Sequence, residues 1–124
     1  MAMSDLRIAA VELLPLDDDR REEALVHLAF LAQAAVAPEL SDASEGAAQR
    51  LQEPLATRID HLVRTGDLPP GVDAEREAAR LRVLLDGLRV QLVTTPKQTT
   101  GEWALSVLDD HLTALAIPPA AIRR

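Results

Sequence analysis

The fold is decided by residues 73–116, which read DAEREAARLRVLLDGLRVQLVTTPKQTTGEWALSVLDDHLTALA and predict two closely packed antiparallel helices. The first of these helices carries two apolar stripes at helical spacing: Leu81, Leu84, Leu85, Leu88 and Leu92 form one, and Ala79, Val83 and Val90 form the other. One stripe is enough to face the core of the chain itself, so the second stripe indicates a partner. A second copy of the hairpin is the simplest partner, because a two-fold axis makes a surface its own complement. We therefore predict an obligate homodimer.

Composition narrows the class of protein further. A chain of 124 residues corresponds to one domain, and the absence of cysteine excludes disulfides and thiolate chemistry. Twenty acidic against thirteen basic residues give a formal charge of -7, and no face collects enough arginine to neutralise several phosphates. We expect no nucleic-acid binding through this chain alone. No apolar run approaches the ~18 residues of a membrane span and no signal sequence is present, so we expect a cytoplasmic protein without membrane contact.

The chain predicts an all-α, five-helix bundle, because aromatic residues make up only 2% and periodic segments alternate with proline and glycine breaks. Ser4 is the expected N-cap of the first helix, and Thr99 or Thr100 that of the last. We expect Pro54 to bend or break the third helix near Glu53, because proline removes one backbone hydrogen bond. The expected helices are about 4–14, 17–36, 41–64, 73–94 and 100–115.

The second helix suggests a ligand pocket. Between Ala24 and Val36 only His27 and Gln33 are polar, which predicts the central, buried helix of the bundle. A few polar groups on an apolar wall are typical of a small-molecule cavity. The alternative, that both side chains merely reach the surface between neighbouring helices, is the more common outcome. The candidate pocket residues are His27, Phe30, Gln33, Leu55, Ile59, Leu62 and Leu88.

The sequence offers no chemistry for catalysis. Each histidine stands near a carboxylate, but the Glu-x-x-His pairs of a helical di-metal site are missing and adjacent helical residues point about 100° apart. No serine has a nucleophile motif, and the five glycines form no phosphate loop. We predict no catalytic residue, no metal and no cofactor, and therefore no enzyme, although a small bundle enzyme or metal protein remains an alternative.

The predicted dimer interface combines apolar positions from the last two helices. Gly87 costs its helix about 1 kcal/mol relative to alanine, which suggests a close helix crossing or space beside a cavity. Trp103 is a candidate because tryptophan is enriched at interface centres. The candidate interface residues are Val83, Gly87, Val90, Trp103, Leu105, Leu108 and Leu112.

Several phrases resemble the C-terminal regulatory domain of TetR-family transcriptional regulators. In the first half they are residues 12–17 (ELLPLD), 20–24 (RREEA), 28–30 (LAF) and 38–40 (PEL). In the second half they are residues 66–69 (GDLP) and 86–88 (DGL), together with Asp73, Ala79, Leu81 and Leu84. The resemblance implies that the last two helices dimerise as a four-helix bundle. It also implies that helices one to four enclose a pocket for a small apolar or amphipathic effector.

The resemblance also sets expectations for the domain boundaries. Members of that family carry an N-terminal helix-turn-helix domain, and we expect this chain to be a shortened form without it. Residues 1–5 are expected to be a disordered or cloning-derived start, residues 6–116 the ligand-binding and dimerisation domain, and residues 117–124 a frayed tail. The main alternative is a stand-alone helical dimerisation or protein-interaction module without a small-molecule ligand.

Overall fold

The structure, a computed structural model, describes residues 2–118. Across these residues the chain forms five α-helices and one short 3₁₀ turn, with no strand, which confirms the all-α prediction. The elements are α1 (Met3–Val11), α2 (Asp18–Val36), the 3₁₀ turn (Pro38–Leu40), α3 (Ser41–Thr65), α4 (Ala74–Thr94) and α5 (Gly101–Leu115). Most of the expected tail, residues 119–124, lies outside the described residues, as does Met1.

Three helices begin at a residue whose side chain caps the helix. Asp17, Asp73 and Thr100 each accept a hydrogen bond from the backbone N–H three residues later, at 2.8, 3.2 and 3.1 Å. Such a bond satisfies one of the N–H groups that a helix start leaves unpaired. Thr100, and not Thr99, is therefore the cap of α5, and Thr99 is buried behind it.

The start of α1 differs from the prediction. Ser4 lies inside the first turn and Ala2 is the N-cap, so the expected serine cap is wrong. The Asp5 carboxylate instead accepts a hydrogen bond of 2.7 Å from the backbone N–H of Ala2. The helix begins at Met3, upstream of the expected domain start at residue 6, and it ends at Val11.

α4 is the central helix of the bundle. It packs against α2, α3 and α5, and the stripe that includes Leu81 and Leu85 points into the core. In the second stripe, Val83 lies on the opposite side and is 60% exposed, whereas Ala79 and Val90 are partly buried. The core around α4 consists of Leu6, Ala10, Leu14, Leu55, Ala56, Ile59, Leu62, Leu68, Ala78, Leu81, Leu85, Leu88, Leu92, Ala104, Leu108 and Leu112.

α2 is not the central, buried helix that its composition predicts. Among its residues only Ala24 is buried, while Val26 and Val36 are 72% and 83% exposed. The reason is the number of neighbours: α2 packs against α3, α4 and the 3₁₀ turn along one side, and no described element covers its other side. An apolar helix becomes central only when other helices surround it.

α3 continues through Pro54 without the break that we expected near Glu53. The Pro54 ring is exposed, and the residues after it, Leu55 and Ile59, are buried against the rest of the core. The packing of that second half outweighs the missing backbone hydrogen bond, because burying one leucine contributes about 1.5–3 kcal/mol. α3 then ends at Gly66, whose φ of 86° is the left-handed conformation that glycine adopts most readily.

In residues 2–118, no helix is both long and apolar enough to cross a membrane. The same residues contain no cluster of three or more histidine, aspartate or glutamate side chains arranged to hold a metal ion.

Candidate functional site

A cavity of about 330 Å³ lies where the end of α1 and the following turn meet α2, α3 and α4. This volume falls in the range of small-molecule sites, which is roughly 300–1,000 Å³. Its apolar lining consists of Leu13, Leu14, Pro15, Ala24, Ala47 and Leu51. Its polar lining consists of Glu12, Arg20, Glu23, His27, Arg50 and Arg89.

The wall formed by α2 is held in place by polar contacts with α4. The Arg21 guanidinium donates hydrogen bonds of 3.1 Å to the Leu92 carbonyl and 3.3 Å to the Val93 carbonyl. These are among the last carbonyls of α4, which have no partner within the helix. Arg21 therefore satisfies the end of α4 and fixes the start of α2 beside it.

Arg89 is the most deeply placed charge in the cavity wall. Its side chain is 17% exposed, and the carboxylate that pairs with it, Asp86, is 3.9 Å from Nη1. The other oxygen of Asp86 already accepts a hydrogen bond of 2.9 Å from Arg82. Within residues 2–118 no hydrogen bond from Arg89 is present, and its nitrogen atoms are not sealed from solvent. The guanidinium donors of Arg89 thus open onto the cavity.

His27 lies beside Arg89 in the same wall and is partly buried. Burial lowers the pKa of His27 below its ordinary value of 6.5; the positive charge of Arg89 lowers it further, and Asp86 opposes the shift. The imidazole is therefore neutral at pH 7, and a neutral imidazole offers one hydrogen-bond donor and one acceptor.

A narrow apolar cleft of about 40 Å³ adjoins the cavity between α2 and α4. The two spaces share Ala24, His27 and Arg89, so the polar pair stands at their junction. The cleft is otherwise lined by Leu28, Leu31, Asp86, Val90 and Val93. The combined site offers apolar walls with a few polar groups at one point, which is the usual composition of a ligand site.

The structure divides the predicted pocket residues among three places. Only His27 lines the cavity. Phe30 lies on an open groove on the outer side of α2, which His27 also lines, and Gln33 is exposed. The other four are buried in the core cluster, where they contact neighbouring helices and line no cavity described here: Leu55, Ile59, Leu62 and Leu88.

The arginines of the cavity were not among the predicted pocket residues. The position of one of them in the sequence does indicate a functional role. Arg89 is the single charged residue between Gly87 and Thr94, in the middle of an apolar helix. A charge in that setting is rarely buried without a partner or a function. Arg20 and Arg50 carried no such signal, because both stand among other polar residues.

Some of the predicted interface residues lie on the surface, and others lie in the core. Val83 and Trp103 are 60% and 49% exposed, and a Cβ added at Gly87 would meet no atom within 4 Å. These three positions lie on the outer faces of α4 and α5. Val90 and Leu105 are partly buried, whereas Leu108 and Leu112 belong to the core of the chain itself.

Comparison with known proteins gives one match. A family model described as BetI-type transcriptional repressor, C-terminal, matches residues 2–116. The match agrees with the resemblance found in the sequence, and it covers α1 to α5. The family is one of transcriptional-regulator domains and not of enzymes. No curated protein and no solved structure matches the chain significantly.

Proposed function

Because this chain belongs to the family of BetI-type transcriptional repressor C-terminal domains, within the TetR-type regulators, we propose that it senses a small-molecule effector and holds two copies together. Regulators of this type are generally homodimers that bind small effectors. The effector site is the cavity between α1, α2, α3 and α4, and the dimer interface is the outer face of α4 and α5.

One observation carries this proposal: α4 contributes to both surfaces. Arg89 on α4 lines the cavity, and Val83 and Gly87 on the same helix face outward. A ligand that moves α4 would therefore move the interface, because a packed helix shifts as a rigid body. A movement of α4 alone would couple ligand binding in the cavity to the dimer interface.

The outer face of α4 and α5 suits a two-fold interface. Val83 and Trp103 expose large apolar side chains, and an exposed apolar patch often marks a protein contact. Gly87 stands between Val83 and Val90 with open space above its Cα, so a partner helix can approach its backbone closely. Two copies of this face would form the four-helix bundle that the family resemblance implies.

In the intact regulator, the effector acts by shifting a population of conformations. A ligand can shift that equilibrium only if it binds the two states with different affinities. A dimeric helix-turn-helix protein requires half-sites about one helical turn apart, so a changed distance between its DNA-binding heads weakens operator binding.

The regulatory residues themselves are not proposed to contact DNA. The chain has a formal charge of -7, and phosphate binding requires clustered basic side chains. A transcriptional regulator must have access to the DNA that it regulates, and we therefore propose a cytoplasmic location.

A thermal-shift screen of metabolites tests the sensing function. A ligand at about 100 times its Kd adds about 2.7 kcal/mol to the free energy of unfolding, and the gain continues to rise with the logarithm of the ligand concentration. Ala47→Trp should abolish that gain, because Ala47 lines the cavity and the indole would fill it. The matched control is Ala43→Trp, at an exposed position on α3 outside the cavity. An equal gain in both variants would move the ligand away from this cavity.

One observation favours the alternative, a stand-alone interaction module. Leu25, Val26 and Val36 expose apolar surface along α2, where a protein partner could pack. Such a module would dimerise, but no metabolite in the screen would raise its free energy of unfolding.

A further inference from the structure

The inner wall of the cavity carries one positive charge, that of Arg89. Two further arginines, Arg20 and Arg50, and two glutamates, Glu12 and Glu23, line the cavity nearer to solvent. Arg50 and both glutamates are exposed, where charges are screened, and Arg20 pairs with Asp17 at 3.6 Å. Arg89 is the least exposed of the arginines and lies at the junction with the apolar cleft.

Arg89 lacks the partners that a guanidinium in such a place needs. A guanidinium carries five N–H donors, and taking it out of water without hydrogen bonds is costly. Asp86 is the nearest carboxylate, but at 3.9 Å it is beyond hydrogen-bond distance and it already accepts a hydrogen bond from Arg82. A ligand that accepts hydrogen bonds in the cavity would complete this incomplete site.

We propose that the effector is a small organic anion, a carboxylate with an apolar body, whose carboxylate pairs with Arg89 beside His27. This inference rests on the proposed function of the cavity. A carboxylate matches the guanidinium geometry, because its two oxygens accept parallel hydrogen bonds from the fork of N–H groups. The neutral imidazole of His27 supplies one further donor next to the same point.

The apolar lining selects the remainder of the ligand. Leu13, Leu14 and Leu51 form one side of the cavity, and Leu28 and Leu31 form the adjoining cleft. A volume of about 330 Å³ has room for roughly ten water molecules at about 30 Å³ each, which fits a ring or a short chain.

The lining also argues against a quaternary ammonium ligand. Recognition of such a cation relies on aromatic faces within about 6 Å. The aromatic residues of the chain are Phe30 and Trp103, and neither lines the cavity. Arg89, the least exposed charge of the wall, would in addition repel a cation.

Three aromatic probes test the proposal on the full chain: benzoate and benzamide, which have nearly the same shape but different charge, and the cation benzyltrimethylammonium. The readout is the NMR signal of the His27 ring, followed with pH and with probe at millimolar concentration. The chain has three histidines, so His27→Gln assigns the signal and His61 serves as an internal control. Several charged groups surround His27. They are Glu12 from the end of α1, Asp19, Arg20, Glu22 and Glu23 on α2, Arg50 on α3, and Asp86 and Arg89 on α4.

We expect benzoate alone to shift the His27 signal saturably and to raise the His27 pKa, because a nearby anion favours the charged imidazole. His61 should respond only as much as it does to chloride. If benzamide or the ammonium compound shifts His27 as much as benzoate, the anion proposal is overturned while the cavity remains a ligand site. If none of the three moves the His27 signal, both the anion proposal and the role of the cavity fail.

A pair of variants then locates the contact. Arg89→Gln should weaken benzoate binding at least tenfold, whereas Arg76→Gln, which removes an exposed guanidinium on the same helix outside the cavity, should leave it within twofold. Arg89→Lys keeps the charge without the forked donors and should give an intermediate affinity. Equal binding by Arg89→Gln and the unchanged chain, with both folded, would contradict the proposed contact.

Discussion

α2 and α4 are both long helices with abundant apolar residues, yet they have opposite places in the molecule. α4 buries six residues. α2 lies entirely within the described part of the chain and buries only Ala24. α4 is surrounded by α2, α3 and α5, and α2 is packed along one side. The difference shows that the apolar content of a helix does not determine its burial. What determines burial is how many neighbouring helices reach it.

The two helices also differ in how they are held. α4 is fixed by leucine packing, but α2 depends in part on the hydrogen bonds from Arg21 to the last carbonyls of α4. A helix with few buried contacts belongs to the low-stability part of a fold, where ligand-binding walls are commonly found. The less extensively packed wall of the proposed effector cavity is therefore α2, and its better packed wall is α4.

The largest expected contrast is between two leucine truncations. Leu85→Ala in α4 removes a side chain that is 1% exposed, and it should lower the free energy of unfolding by about 2–5 kcal/mol. Leu25→Ala in α2 removes one that is 45% exposed, and it should cost about 0.5 kcal/mol. Urea unfolding at one fixed protein concentration measures both. Equal costs would show that α2 is buried in solution and would remove the basis of the comparison.

A smaller effect is expected at the polar connection between the two helices. Arg21→Gln removes charge-assisted hydrogen bonds to Leu92 and Val93 and should cost about 1.5 kcal/mol. Amide hydrogen exchange should become faster in α2 while the centre of α4 stays protected. The control is Arg20→Gln, whose ion pair with Asp17 is 3.6 Å long and partly exposed, so its loss should change little. Faster exchange throughout α4 in Arg21→Gln would contradict the assignment of α2 as the separate, weaker unit.

The smallest predicted effect is a dependence of stability on pH. Burial is the main cause that lowers the pKa of both His27 on α2 and His111 on α5 below the ordinary value of 6.5. Below that value the unfolded chain binds protons that the folded chain does not, so stability falls as pH decreases from about 6.5. Above it the contribution is fully present.

Substituting each histidine separately shows how much of the pH dependence of stability comes from α2 and how much from α5. His111→Gln should flatten the slope between pH 7 and pH 5 on the α5 side, since His111 Nε2 is buried without a hydrogen-bond partner among the described residues. His27→Gln should remove the part that belongs to α2. Urea unfolding across this pH range measures both slopes, and an unchanged slope in the double variant would contradict the lowered pKa values.

The local features of the fold could be predicted from the sequence, because each depends on a few neighbouring residues. Asp17 and Asp73 each start a helix with a side-chain cap, and the leucine stripe of α4 faces the core as its spacing predicts. Pro54 shows the limit of this reasoning, because packing after the proline decides that α3 continues. Long-range packing is not encoded in any short window of sequence.

The candidate site was harder to predict, because it too depends on long-range packing. His27 was found because it stands alone in an apolar helix, but the leucines proposed beside it, such as Leu55, point into the core from α3. The cavity arises where a turn and three helices meet, and residues that are far apart in sequence line it. The reasoning that identified His27 also applies to Arg89, since Arg89 is the single charged residue between Gly87 and Thr94.

The most direct test compares one substitution placed on each helix. Val83→Glu on α4 and Val26→Glu on α2 both put a carboxylate at an exposed valine, and neither should unfold the chain, whereas Leu108→Glu in the core should. Light scattering at micromolar concentration should give the mass of two chains for the unchanged protein and for Val26→Glu, and of one chain for Val83→Glu. A monomeric unchanged protein, or a dimer that is lost in Val26→Glu and kept in Val83→Glu, would contradict the account.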